Sequence, residues 1–135
     1  MTFSLYVLLN NEAPAISNES LAKNLAEYFK NEIDFSVKFE QIPFAKNKTV
    51  ALHWGPWLVR VAYEEGLQVT HDSLEIQSRL QSTILDLSKV NKRVRLVIGD
   101  DDDRQYTNQI IYLIDYFKEI NGTVIYDPQQ NDVLN

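Results

Sequence analysis

Phe3, Leu5, Val7 and Leu9 recur at every second position near the start of the chain, the period of a strand buried on at least one side. The period then changes. Ser17 precedes Leu21, Leu25, Tyr28 and Phe29 at i, i+4, i+7 and i+8 spacing, with Ile16 placed to staple onto Leu21 across the cap, so residues 18 to 32 are expected to form an amphipathic helix. Phe35, Val37 and Phe39 alternate with Ser36, Lys38 and Glu40, which gives a strand with one apolar and one polar face. Pro43 and a basic turn with Lys46 and Lys48 lead to a short strand from Val50 to His53. Gly55-Pro56 turns the chain, and Trp57, Val59, Val61 and Tyr63 alternate along the return strand of a hairpin that Gly66 ends.

In the second half, Asp72 with Glu75 three residues on resembles a capping box, and Ile76, Leu80, Ile84 and Leu87 follow at helical spacing, which predicts a helix over about residues 73 to 88. Val94, Leu96 and Ile98 alternate with Arg93, Arg95 and Val97 as a fifth strand. Tyr106, Ile110, Leu113, Ile114 and Phe117 trace a third helical stripe that stops at Asn121-Gly122, and Thr123 to Tyr126 forms a last strand closed by Pro128. The order β-α-β-β-β-α-β-α-β predicts an α+β fold: a two-layer α/β sandwich with a single mixed sheet of about six strands and three helices mainly on one face. Neither an internal repeat nor a linker interrupts it, so residues 1 to 135 are read as one domain.

Composition narrows the class. With 44% hydrophobic residues and only four Gly and four Pro, the chain is too apolar for a disordered protein and too low in turn formers for a linker. Without cysteine, disulfide scaffolds, thiolate zinc sites and cysteine nucleophiles are excluded. No apolar run approaches the roughly 20 residues of a membrane span, and the opening MTFSLYVLLNNEAP has no basic region before its short apolar stretch, so it is read as a strand and a cytoplasmic location is expected.

The net charge of -6 is unevenly placed: residues 1 to 98 carry eleven acids and eleven bases, and residues 99 to 135 carry eight acids against Arg104 and Lys118. Binding to nucleic acid or anionic lipid needs a basic footprint, so both are disfavoured and a basic protein partner is favoured. Asp100 to Asp103 follow the fifth strand, a position where many α/β enzymes hold Mg²⁺. An EF-hand loop starting at Asp100 would need Gly at 105 and Glu at 111, where the chain has Gln105 and Ile111. Asp103 or a neighbour is expected to cap the third helix, with the others beside its positive dipole end. His53 and His71 lie in no zinc-binding spacing, the serines lack a nucleophile elbow, and the glycines stand alone at turns, so no metal, cofactor or catalytic residue is assigned. Trp54 and Trp57 flank the Gly55-Pro56 turn; Trp57 begins an alternating strand and is expected to be packed, while Trp54 is a candidate interface anchor. Lys38, Glu40, Arg60, Arg93 and Arg95 mark a wet sheet face as a second candidate docking surface.

The stretch Arg95 to Asp103, then Tyr106 and Asn108, then Gly122 to Asp127-Pro128 joins a strand, an acidic step, a Tyr/Asn-bearing helix and a strand ending in Asp-Pro. It resembles the small acidic immunity proteins of bacterial polymorphic and contact-dependent toxin systems. That resemblance implies a cytoplasmic inhibitor, without catalytic residues of its own, that binds a cognate toxin domain, often a nuclease, at its active site or beside it. Asp100, Asp101, Asp102 and Trp54 are then the candidate partner-binding residues. The competing expectations are a small Mg²⁺-dependent enzyme built on the aspartate step, and an oligomeric structural or regulatory subunit.

Overall fold

The computed structural model describes residues 2–41, 43, 48–81 and 85–134. Its strands are β1 (Phe3–Leu9), β2 (Phe35–Glu40), β3 (Thr49–Trp54), β4 (Trp57–Glu65), β5 (Lys92–Ile98), β6 (Thr123–Asp127) and β7 (Asp132–Val133); its helices are α1 (Asn18–Tyr28), α2 (Leu67–Leu80) and α3 (Thr107–Lys118). Among the described residues, the strands form one seven-stranded sheet in the order β2-β3-β4-β5-β1-β6-β7. The expected α+β class stands, with one strand more than expected, and every pairing is antiparallel rather than mixed. The reason lies in the first strand. β5 and β6 flank the connection through α3 and run in the same direction, but β1 occupies the place between them and pairs antiparallel with both.

Side-chain alternation along these strands divides the core. Leu5, Val7, Val59, Val61, Val94, Leu96 and Ile98 point to one face, where Leu21 and Leu25 of α1, Phe29 just after it, and Leu113 and Phe117 of α3 close over them. Leu8 and Tyr126 point to the other face, where Ile76 of α2, Leu87 and Val90 make a smaller cluster. Two of the three helices therefore share one face, as expected, and α2 adds a partial third layer on the other.

Local chemistry sets the helix ends. Ser17 accepts from the Ser20 N–H at 3.1 Å while the Ser20 hydroxyl accepts from the Ser17 N–H at 3.0 Å, a reciprocal capping box that starts α1. α1 ends at Tyr28 rather than 32. α2 departs further from expectation: it begins at Leu67, after Gly66 in a positive-φ conformation, so Asp72 is interior to the helix and not its cap. Leu87 is buried but lies beyond the helix, while Ile84 and the turn residue Lys46 fall outside the described residues. Gly122, at φ +79°, returns the chain from α3 to β6; a Cβ there would run into the Asn10 side chain and the backbone of Glu12 and Ala13.

Candidate interaction site

The acidic step leaves the end of β5 beside the β3–β4 hairpin. Gly99 makes the junction: its N–H donates to the Leu58 carbonyl at 3.0 Å, and a Cβ at this position would sit 2.7 Å from that oxygen and 3.2 Å from the Trp57 Nε1. The chain then folds on itself. The Arg104 N–H donates to the Asp101 carbonyl at 3.0 Å, with Arg104 in the left-handed region, and the Asp101 carboxylate accepts the Tyr106 N–H at 3.0 and 3.1 Å from its two oxygens. Asp101, not Asp103, is thus the aspartate that secures the entry to α3. Asp102 and Asp103 remain exposed at the tip.

The bond to Tyr106 fixes an aromatic stack below the step. The Tyr106 ring lies parallel to Trp57 at 4.4 Å between centroids, Trp57 leans on Trp54 at 5.4 Å, and Trp54 meets Phe35 at 4.9 Å and the edge of Phe29 at 5.0 Å. Trp54 is only 3% exposed, which overturns the expectation that it anchors an interface. The strand period explains this: Val50, Leu52 and Trp54 share the helix-covered face of β3. Among the described residues, the indole N–H groups of both tryptophans are buried without a hydrogen-bond partner, so these rings serve packing.

The expected mixed-charge face is present but paired within itself. Arg60 meets Glu40 at 3.3 Å, Glu64 meets Arg93 at 2.8 Å and Arg95 at 3.3 Å, and Arg93 reaches Asp72 of α2 at 2.9 Å. Arg93 is buried, with its guanidinium over the Tyr6 ring at 4.8 Å. Burial would push the Asp72 carboxyl up, yet bonds from Gln68 and Arg93, the Arg93 charge and His71 outweigh it and hold the group below its ordinary range. This ion cluster pins α2 to the sheet.

Two further features were not visible as sites in the sequence. Near the start of α1, a depression of about 550 Å³ is lined by Ser17, Asn18, Phe39, Lys48 and Tyr63; the buried Asn18 side chain there donates to the Lys48 carbonyl at 2.9 Å and accepts the Tyr63 N–H at 2.8 Å. Between the end of α1 and the outer side of α3, a groove of about 270 Å³ is lined by Tyr28, Phe29, Asn31, Glu32 and Tyr112. Tyr28 belongs to the expected apolar stripe of α1, yet it is 47% exposed and donates its hydroxyl to the Tyr112 carbonyl at 3.2 Å. The available signal was Tyr112, an aromatic residue standing off the apolar stripe of α3.

His53 has Ser36 and Leu58 as its register neighbours, and His71 is exposed on α2, 3.7 Å from Asp72. Among the described residues, no three of His, Asp and Glu are grouped to hold a metal ion, and no helix is long and apolar enough to cross a membrane. No family model matches the chain, and neither the curated proteins nor the solved structures provide a match to it.

Proposed function

We propose that this protein is an immunity-type inhibitor that binds a cognate bacterial toxin domain and neutralises it by steric and electrostatic blockade. The observation that carries this reading is the acidic step, which is fastened at Asp101 to a stiff aromatic stack and presents Asp102 and Asp103 outward. The mixed-charge sheet face is a weaker candidate because it presents both signs of charge, whereas a cationic cleft selects one. A rigid acidic projection suits the cationic cleft of an enzyme that handles polyanions, since preorganised charge speeds encounter and loses little entropy on docking. The C-terminal segment also carries the whole charge excess. A cytoplasmic location follows from this role.

The test is co-expression with the variable C-terminal domain of a large secreted protein encoded directly upstream. Growth restored by this chain and lost on adding Asp102→Lys with Asp103→Lys is the expected result. Continued growth arrest with the wild-type chain present at soluble excess would overturn the reading, as would placement of the gene in a metabolic operon.

A further inference from the structure

The groove between α1 and α3 combines two features that together select a ligand. Its walls are tyrosine: Tyr28 is 47% and Tyr112 45% exposed, and Tyr28 is braced by Tyr116 at 5.2 Å between ring centroids and by the edge of Phe29 at 4.8 Å. Its surroundings are anionic. Glu32 lines it directly and accepts from the Gln109 amide at 3.4 Å, while Asp115 and Glu119 lie on the same side of α3 as Tyr112, at helical spacings of three and seven residues. Lys30, just beyond the end of α1, is engaged by Glu27 at 2.7 Å.

We propose that this groove receives an arginine side chain presented by the protein partner. A guanidinium can stack flat on a tyrosine face while its edge bonds a carboxylate, whereas an apolar side chain would leave the surrounding carboxylates facing it and an acidic one would be repelled. Electrostatics at Tyr28 agree with this arrangement: burial, then the charges of Asp115 and Glu119 and the Tyr112 phenol, push its hydroxyl above the ordinary range. The groove also lies along the same helix that begins at the acidic step, so one basic partner surface can meet both. Assigning the arginine to a toxin rests on the inhibitor reading; the chemistry of the groove does not.

The experiment therefore uses no toxin. The full ¹⁵N-labelled chain is titrated with a short arginine-containing peptide and with its citrulline counterpart, which has nearly the same shape and no charge. Saturable shifts at Tyr28, Glu32 and Tyr112, with Kd on the order of millimolar, are expected for arginine, and much weaker ones for citrulline. Asp115→Asn with Glu119→Gln is expected to weaken binding about fivefold, and Tyr112→Leu about threefold. Asp102→Asn with Asp103→Asn should leave it within about twofold, because neither residue lines the groove. Both groove variants are exposed substitutions, and their folding is checked by the same spectra. Equal shifts from citrulline, shifts centred on the acidic step, or self-association that Tyr112→Leu abolishes would each overturn the proposal. Toxin neutralisation remains a separate measurement, so failure of the groove and failure of the inhibitor reading are distinguishable.

Discussion

Asp101 and Arg93 show how single side chains decide what their neighbours can do. Four identical aspartates in a row give spacing alone no means of telling which one turns inward, so the expectation reaches only as far as Asp103 or a neighbour. The carboxylate that does the work bonds a backbone N–H five residues on, because the turn at Arg104 brings Tyr106 back over it. Asp101→Ala is therefore expected to cost about 1 kcal/mol, and Asp102→Ala and Asp103→Ala less than about 0.5 kcal/mol. Urea melts give the ranking, and tryptophan fluorescence should change only for Asp101→Ala, since Tyr106 stacks on Trp57. At Arg93 the readout is pH. The Asp72 carboxyl is held below its unfolded value, so its contribution is complete above about pH 4 and is lost as pH falls through the depressed folded value. Arg93→Met should remove much of that acid-sensitive contribution and lower stability at neutral pH by about 2 to 4 kcal/mol, a figure reduced from fully buried pairs because Glu64 and Asp72 are each partly exposed. An acid limb identical to that of the wild type would refute the role given to the cluster.

Elements were legible in proportion to the strength of their apolar period. β1, β4, β5 and α3 alternate or repeat over at least two turns or pleats, and their positions agree with expectation to within a few residues. α2 starts earlier than expected for an identifiable reason: its first residue, Leu67, is 88% exposed and no side-chain cap bond is found at its N-terminus among the described residues, while Asp72 with Glu75 resembles a capping box from inside the helix. Ser73 is buried with its hydroxyl donated to the Val69 carbonyl at 2.7 Å, and Asp72 is committed to Arg93. β7 is two residues long and follows a turn with Asn131 at φ 50°, too short for any period to register. For α3 the stripe predicts graded costs. Leu113 is fully buried and Ile110 only partly, so Leu113→Ala should lose about 2 to 5 kcal/mol and Ile110→Ala about 1 to 2 kcal/mol. Equal losses in urea melts would mean that the helix is rotated about its axis relative to this packing.

At the scale of the whole molecule, the division of charge is the property most directly readable from sequence, and the fold determines what it means. The first 98 residues are neutral in sum, and several of their charges close into pairs across β2, β4, β5 and α2. Six of the eight later acids follow a different geography, from the step at Asp100 to Asp103 along the outer side of α3 to Asp115 and Glu119, while Asp127 and Asp132 lie on β6 and β7. Sequence could count these acids but could not show that α3 lines them up beside the tyrosine groove. Association with a cationic toxin should therefore depend on this ridge chiefly through the on-rate and chiefly at low salt, because exposed charges separated by about 10 Å or more are largely screened at 0.1 M ionic strength. Asp102→Asn with Asp103→Asn is expected to slow association about threefold to tenfold at low salt and less than about twofold at high salt. The charge-matched control is Glu12→Gln with Glu19→Gln, both exposed near the opposite end of the chain; Glu64 and Glu65 would be unsuitable because they hold Arg93 and the Tyr63 hydroxyl. Equal slowing by both pairs would mean that only net charge matters, and the acidic step would then lose its place in the docking surface.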